Sequence, residues 1–164
     1  MQGATLHLVL RIRGGCFIST TPITLHDITT KMIKDIIIGE LLMTYSTDTG
    51  RLEPNKVSNI SVYQVDCLCE IDIGTHKIIC TPNHPFWVPS AKTWKAVHPY
   101  PNSSVQTLRI GDRLLGSEMK DVKVKTIRIM ELEREIDVYH LHVEKSHNFF
   151  AGGVLVHNMQ IIIK

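Results

Sequence analysis

The sequence places a cysteine directly after two glycines and, far downstream, an asparagine directly after a histidine. Cys16 follows Gly15, and Asn158 precedes Met159. A cysteine thiol can attack the carbonyl carbon of the preceding residue and shift the acyl group from nitrogen to sulfur, which would make a thioester at Gly15. The side-chain amide of Asn158 can attack its own main-chain carbonyl, which would close a succinimide and release Met159 with a free amine. We therefore treat Cys16 and Asn158 as candidate catalytic residues, with scissile junctions at Gly15–Cys16 and Asn158–Met159.

Both attacks are slow in an unstructured peptide, so a fold must supply orientation and proton transfer. Orientation is worth up to roughly 7–11 kcal/mol in favourable intramolecular cases, and proton transfer about 10²–10⁴-fold. The segment CTPNHPF contains Thr81 and His84 in a T-x-x-H pattern. We expect Thr81 to hold the amide of the first junction and His84 to protonate its departing nitrogen. For Asn158, the candidate helpers are the adjacent His157 and, further upstream, His147.

Composition excludes several function classes. The 164 residues carry a net charge of +2, and no basic stripe with interleaved aromatic residues indicates a nucleic-acid partner. No apolar run approaches the roughly 20 residues that span a bilayer, and the N-terminus has no signal-peptide pattern. We therefore expect one monomeric domain that is intracellular, in the cytoplasm, with no membrane partner.

The chain contains four cysteines, Cys16, Cys67, Cys69 and Cys80. Without a secretory signal they are expected to be reduced, as a nucleophilic thiol must be. A tetrahedral zinc site could be filled by Cys67, Cys69 and Cys80 together with His76 or His84. However, Cys67 and Cys69 are separated by a single residue, unlike the usual zinc-ligand spacing. We predict core packing for Cys80 and no metal or other cofactor.

Short runs in which aliphatic and β-branched residues alternate with polar ones recur along the chain. They lie at 36–43, 57–63, 76–80, 105–115, 122–129 and 138–143. Turn residues separate them, as in Asp48-Thr49-Gly50 and Gly152-Gly153. Such regularly spaced strands predict an all-β fold. The best helix candidate, 28–38, has only a weak helical period.

The chain also repeats itself. Three pairs of segments match in the same order: 35–42 with 107–115, 57–60 with 124–127, and 70–86 with 135–150. This order indicates an internal duplication, in which Gly39 and Gly111 are turn glycines. A duplicated β unit predicts pseudo-two-fold symmetry, with the equivalent histidines His84 and His147 approaching a shared centre.

The segments on either side of this duplicated unit resemble parts of ubiquitin. TLHLVLRIRGG (5–15) resembles the C-terminal strand and tail of ubiquitin, and MQIIIK (159–164) resembles its first residues. The resemblance implies a junction between ubiquitin-like units, as in a polyubiquitin precursor. We therefore predict three segments: a ubiquitin-like tail at 1–15, a processing domain at 16–158 and the start of a second ubiquitin-like unit at 159–164.

The middle segment itself resembles a known family. Cys16, TPNHPF, VYHLHVEKSHNFFAGG and the terminal VHN together resemble the hedgehog/intein (Hint) family of self-processing domains and, given the flanks, its bacterial intein-like (BIL) members. The resemblance implies a horseshoe-shaped all-β fold with both junctions near its centre. Carried over by position, it implies that Thr81 and His84 assist thioester formation by Cys16. It likewise implies that His147 and His157 assist the cyclisation of Asn158.

Two positions depart from the family pattern. Many inteins have aspartate in the pattern V-Y-D-L, where this chain has His140. An imidazole can still transfer protons, so we keep His140 as a candidate catalytic residue. We expect His142, two residues further along the same strand, to face the opposite way and to have a surface or packing role. The second departure is Met159, because ordinary splicing needs a Cys, Ser or Thr there to form a branched intermediate.

With the branched route closed, the thioester has three fates. Water can hydrolyse it, which gives N-terminal cleavage. The freed amine of Met159 can attack it, which joins the flanks by non-standard splicing. A lysine or N-terminus of another protein can attack it, which transfers the ubiquitin-like flank. The expected partners are therefore the flanking ubiquitin-like domains in cis and an amine acceptor.

Two other functions stay open. The chain could be an inactive linker or binding module between ubiquitin units, in line with the departures at His140 and Met159. It could also be a hedgehog-type domain that passes its thioester to a small nucleophile such as an alcohol. The terminal His157-Asn158 pair argues against that route, which needs no C-terminal cleavage.

Overall fold

The computed structural model describes residues 15–158, and this part of the chain folds almost entirely into β-strands. The strands are β1 (Phe17–Ile18), β2 (Pro22–Thr24), β3 (Thr30–Met32), β4 (Leu41–Ser46), β5 (Arg51–Asp72), β6 (Lys77–Cys80), β7 (Phe86–Val88), β8 (Thr93–Ala96), β9 (Gln106–Thr107), β10 (Arg113–Leu115), β11 (Asp121–Lys123), β12 (Thr126–Val143), β13 (Asn148–Ala151) and β14 (Val154–His157). The helical segments within these residues are two 3-10 turns, Ile33–Asp35 and Pro89–Ala91. The predicted all-β class is confirmed. Of the predicted flanking segments, only Gly15 lies within the described residues.

The best helix candidate, 28–38, does not form an α-helix. This segment divides into β3 and the 3-10 turn Ile33–Asp35. Ile28, at its start, has a φ of 65°, which no α-helix accommodates. β3 pairs with β2, so that Lys31 lies opposite Ile23. Backbone pairing with a neighbouring strand therefore outweighs the weak helical period.

The strands form two large sheets and one small one within the described residues. The first has the order β12-β1-β6-β5-β4, and β12 also pairs with β5, so that β12, β1, β6 and β5 close on themselves. The second has the order β3-β2-β13-β14-β7-β8-β9, and β10 pairs with β11. β1 follows Cys16 directly and β14 ends at His157, so each sheet holds the strand next to one junction.

The two longest strands, β5 and β12, organise the first sheet. They pair antiparallel from Thr126 opposite Asp72 to Val143 opposite Val57, with a shift of register between His142 and Val143 and a longer irregularity between Glu131 and Ile136. Charged residues of the run ELERE are exposed at this irregularity, as expected for a solvated stretch. Beyond it, β12 continues along the length of β5 and carries residues 138–143 past both junctions.

The internal duplication is visible in two matching turns. Gly39 and Gly111 have φ angles of 92° and 96°, in the left-handed region that favours glycine. The N–H of Gly39 donates to the carbonyl of Val57, and the N–H of Gly111 donates to the carbonyl of Val124, both at 2.8 Å. These are the positions paired by the sequence repeat, so the predicted duplication and the two turn glycines are confirmed.

The same turns correct two predicted strands, 36–43 and 105–115. In each, the carboxylate after the glycine accepts a hydrogen bond from the N–H three residues before it: Glu40 from Ile37 at 3.1 Å, and Asp112 from Arg109 at 2.8 Å. This local capping competes with extended structure. The strands β4 and β10 therefore begin only after each turn, at Leu41 and Arg113.

The main apolar core joins the two large sheets. It contains Phe17 from β1, Phe86 from β7 and Phe149 from β13, all fully buried. Cys80 is also fully buried in this core, as predicted. Within residues 15–158, no helix is long and apolar enough to span a bilayer.

Candidate active site

Strand pairing fixes the Gly15–Cys16 junction between two strands. Phe17, the residue after Cys16, lies opposite Tyr139 of β12 on one side and opposite Cys80 of β6 on the other. The peptide bond that precedes it is therefore held where β12 and the end of β6 meet. Both Gly15 and Cys16 are buried there.

Thr81 holds the nitrogen side of this junction. The N–H of Cys16 donates to the Thr81 hydroxyl at 2.8 Å, and the N–H of Thr81 donates to the carbonyl of Cys16 at 2.9 Å. Thr81 follows the last residue of β6 and is itself buried. Thr81 thus contacts the amide that would become the leaving amine, which is the contact its sequence position predicts.

His140 holds the oxygen side of the same junction. Its Nδ1 lies 2.7 Å from the carbonyl oxygen of Gly15. Because a carbonyl oxygen can only accept, Nδ1 carries the proton and donates it. Burial lowers the pKa of His140 to about 4, the contact with Gly15 opposes this shift, and nearby His142 adds to it. At neutral pH the donor is therefore an uncharged imidazole aimed at the oxygen that would bear negative charge.

His84 packs against the main chain of Gly15. Its ring is 1% exposed, with its centroid 4.2 Å from that of Phe17. Neither ring nitrogen has a hydrogen-bond partner within residues 15–158. Burial, followed by the nearby His140 and His157, lowers the pKa of His84 well below its usual value, although the adjacent Gly15 main chain opposes the shift. His84 is therefore neutral, and the unprotonated nitrogen of its ring can accept a proton.

The Cys16 thiol is protonated in this environment. It is buried, and burial raises its pKa to about 12. Since the thiolate is the effective nucleophile, attack on Gly15 needs a group that removes the proton as the sulfur–carbon bond forms. The neutral imidazole of His84 packs against the same residue, Gly15.

The C-terminal junction is anchored by main-chain groups. Asn158 is 3% exposed, and its N–H donates to the carbonyl of His147 at 3.0 Å. Its side-chain Nδ2 donates to the carbonyl of Val143 at 3.3 Å. The Oδ1 atom is buried without a hydrogen-bond partner in the described part of the chain. Asn158 is therefore fixed on both its main chain and its side-chain nitrogen, whereas Met159 lies outside the described residues.

His157 lies directly beside Asn158 at the end of β14. Its N–H donates to the carbonyl of Pro85 at 3.1 Å, and its ring meets Trp94 edge-on with centroids 4.6 Å apart. Burial, then nearby His147 and His140, lowers its pKa to about 4. Its Nδ1 is buried and has no hydrogen-bond partner within residues 15–158. His157 is thus a second neutral imidazole with a nitrogen that is not committed to another group.

His147 is placed differently from what its repeat position predicts. It has a φ of 56° in the turn between β12 and β13, and its side chain is exposed rather than buried at the centre. Its main-chain carbonyl accepts the N–H of Asn158, and its proximity contributes to the lowered pKa of His157. His84 and His147 are therefore not equivalent in the structure, although their sequence positions match in the repeat. His84 is buried, whereas His147 is exposed in a left-handed turn.

The expectation that His142 faces away from His140 is wrong. The two rings meet edge-on with centroids 4.7 Å apart. Residues two apart on a strand share a face, because the side-chain period of a strand is two. His142 is half-buried, and burial and then nearby His147 lower its pKa. It therefore adds a further imidazole beside the one that contacts Gly15.

β12 connects the two junctions. His140 contacts the carbonyl of Gly15, and Val143, three residues along, contacts the side chain of Asn158. With a rise of about 3.3 Å per residue, these two contacts are about 10 Å apart along the strand.

The sequence did not predict the contacts made by the main-chain carbonyls of Val143 and Pro85. Every residue carries such a carbonyl, so the residue type gives no signal for the contact.

A cleft of about 400 Å³ opens beside the first junction. Thr81 lines it, together with Cys67, Asp66 and Glu135. The last two side chains are exposed carboxylates. The cleft thus reaches a residue that contacts the amide of Cys16, and the sequence offered no signal for it.

All four cysteines lie within the described residues, and all are free thiols. Cys69 and Cys80 are directly paired across β5 and β6, with their sulfurs 3.7 Å apart and fully buried. Within residues 15–158, no group of three or more His, Cys, Asp or Glu side chains is arranged to hold a metal ion.

The structure is similar to solved structures of inteins. A bacterial intein-like domain from Clostridium thermocellum aligns over 87% of this chain and 97% of its own, with a TM-score of 0.72 and 23% identity. A variant of the Ssp DnaB mini-intein aligns over 88% and 94%, with a TM-score of 0.73 and 19% identity. The gp41-1 intein aligns over 88% and 98%, with a TM-score of 0.66 and 23% identity. No protein-family model and no curated protein sequence matches the chain. The all-β architecture with its internal duplication is therefore the Hint fold, as predicted.

Proposed function

We propose that residues 16–158 form an autocatalytic, single-turnover domain that breaks the peptide bonds at its own two ends. One observation carries the proposal: both sides of the Gly15–Cys16 peptide bond are held by side chains suited to its rearrangement. His140 Nδ1 donates to the carbonyl oxygen at 2.7 Å, and the Thr81 hydroxyl accepts from the amide nitrogen at 2.8 Å. The intein fold supports the same activity.

The first step is an acyl shift from nitrogen to sulfur. Cys16 Sγ attacks the carbonyl carbon of Gly15, and the oxygen takes up negative charge that the His140 N–H stabilises. His84 accepts the thiol proton and returns it to the departing Cys16 nitrogen. The carbon–nitrogen bond then breaks, and the products are a thioester at Gly15 and a free α-amine on Cys16. The proton count is balanced, and His84 ends neutral, as it began.

The second step releases the downstream chain. Asn158 Nδ2 attacks the main-chain carbonyl carbon of the same residue, and closure of the succinimide expels the amine of Met159. One proton leaves Nδ2 and one is delivered to the departing nitrogen. The Val143 carbonyl orients Nδ2, and His157, neutral and adjacent, is placed to carry the proton. The exposed His147 contributes through its main-chain contact with Asn158.

Met159 offers no hydroxyl or thiol to receive the acyl group, so the thioester reacts with other nucleophiles. Water gives N-terminal cleavage, and an amine gives an amide. The freed amine of Met159 would splice the flanks, and a lysine or N-terminus of another protein would take up the upstream flank. The cleft beside Thr81 supports access from solvent, and its carboxylates Asp66 and Glu135 suit a cationic amine. The resemblance of 5–15 and 159–164 to ubiquitin makes ubiquitin-like units the proposed flanks.

The test follows fragments of the chain over time when complete flanking domains are attached. Cys16→Ala should abolish cleavage after Gly15 and leave cleavage after Asn158, while Asn158→Ala should do the reverse. An intact wild-type chain, even with added thiol, would contradict the proposal and favour an inert linker. Adducts on Gly15 with added alcohols but not with amines would favour hedgehog-type transfer.

A further inference from the structure

The turn that carries Thr81 and His84 also presses against the residue that donates the acyl group. Gly15 has a φ of 81°, a backbone conformation that L side chains rarely adopt. An ideal Cβ added there would overlap His84 Nδ1 and would lie 2.7 Å from His84 Cα. The first neighbour belongs to a side chain, but the second is main chain, so changing the His84 rotamer would not relieve the overlap.

The turn has little freedom to retreat. The N–H of His84 donates to the carbonyl of Thr81 at 3.2 Å, and buried Pro85 follows with a restricted φ. The His84 ring is enclosed by Phe17 and Phe86, with centroid separations of 4.2 and 5.8 Å. If the turn moved away from Gly15, it would also draw Thr81 away from the Cys16 amide that it holds.

We infer that this turn makes the domain specific for glycine as the acyl donor, so that its substrates are polypeptides whose last residue before the cysteine is glycine. The inference rests on the proposed acyl shift and deepens it. Specificity and catalysis share one structural element: the contacts that activate the junction require the close approach that excludes a side chain. The specificity-determining feature is therefore the main chain at His84, not a pocket.

Gly39 and Gly111 supply matched controls. Their φ angles of 92° and 96° are close to that of Gly15, but an added Cβ would meet nothing within 4 Å. Alanine at these positions carries the cost of left-handed backbone without the overlap. Neither residue touches the junction, so Gly39→Ala and Gly111→Ala should form the thioester at the wild-type rate.

The first measurement is the rate of thiol-induced release at Gly15 in the full chain. Left-handed strain and the overlap together predict that Gly15→Ala slows this release by about 100-fold or more. Cleavage after Asn158 should continue near the wild-type rate, which shows that the domain remains folded. Release by Gly15→Ala within threefold of wild type would overturn the inference.

A second measurement does not depend on activity. In a Cys16→Ala background, which stays joined at this junction, hydrogen exchange of the residue-16 N–H reports whether Thr81 holds it. Exchange should be slow with Gly15 and at least tenfold faster with Gly15→Ala. Equal exchange rates would overturn the inference. If wild type forms no thioester but this difference is present, the proposed function fails, while the packing that requires glycine at position 15 stands.

Discussion

The contact between His140 and Gly15 can be removed without touching the nucleophile. Three substitutions separate what the imidazole supplies: His140→Ala removes the donor, His140→Gln keeps an N–H donor on an uncharged side chain, and His140→Asp introduces a carboxylate. The His140→Asp substitution introduces the aspartate that many inteins have in the V-Y-D-L pattern. An ionised carboxylate cannot donate to the Gly15 oxygen and would repel the charge that develops there.

The magnitude follows from the geometry. The donor lies 2.7 Å from the oxygen and is 5% exposed, so water cannot readily replace it. Loss of one such donor costs about 10²–10³ in rate, or roughly 3–4 kcal/mol. We expect thioester formation to fall by this factor in His140→Ala and by at least as much in His140→Asp. His140→Gln should recover part of the loss.

The assay is single-turnover release of the fragment ending at Gly15 by an added thiol, quantified by mass spectrometry. His142→Ala is the matched control, because that ring touches His140 but donates no hydrogen bond to Gly15. It should change the rate by no more than a few-fold. Because the pKa of His140 lies at about 4, the wild-type rate should show no break from this group between pH 5 and 8. A His140→Ala rate within threefold of wild type, or a fully active His140→Asp, would refute the role of His140 as the donor.

Further predictions concern the other contacts. Thr81→Val leaves the buried Cys16 N–H without its acceptor, so unfolding in urea should show a loss of about 1–3 kcal/mol and thiol-induced release should slow, whereas Thr81→Ser should retain both. Asn158→Asp removes the amide nucleophile, so mass spectrometry should find no release of the downstream chain while thioester formation persists. Asp66→Asn with Glu135→Gln should reduce capture of a lysine peptide several-fold but leave capture of a neutral thiol unchanged; equal loss of both would exclude a charge effect. The buried imidazoles take up protons less readily when folded than when unfolded. Stability should therefore be full above about pH 7 and decline as the pH falls towards 4, by about 2–3 kcal/mol at pH 4.5 for each of the two imidazoles, His140 and His157, whose pKa lies at about 4. Urea unfolding at pH 7 and pH 4.5 of a processing-deficient variant measures this change, and equal stabilities would contradict the buried, neutral state.

The sequence was most informative where a residue type is tied to one backbone geometry. Gly39 and Gly111 were identified as turn glycines from their repeat positions, and both adopt left-handed φ angles. The pattern of alternating residues located β6 and most of β12. It did not find the ends of strands, because the caps at Glu40 and Asp112 depend on a side-chain hydrogen bond that strand alternation does not reveal.

The residues around the two candidate junctions could be named from the sequence, but the directions of their side chains could not. Thr81 and His84 lie at Gly15–Cys16, and His157 lies beside Asn158, as their positions indicated. His147 is exposed because it lies in a turn with left-handed backbone. The types of its neighbouring residues do not predict this turn. The contact of His140 with Gly15 depends on how β1 registers against β12, a pairing between residues more than a hundred positions apart. No local pattern encodes such a register.

The most direct test of the account is to trap the thioester. The full chain, with complete flanks, is incubated with a small thiol at neutral pH, and the masses of the products are determined. We predict an upstream fragment that ends at Gly15 and carries the thiol as a thioester, formed by wild type and by Asn158→Ala but not by Cys16→Ala. An upstream fragment formed equally by Cys16→Ala, or a wild-type chain that stays intact at Gly15–Cys16, would contradict the central claim that Cys16 takes the acyl group from its own amide.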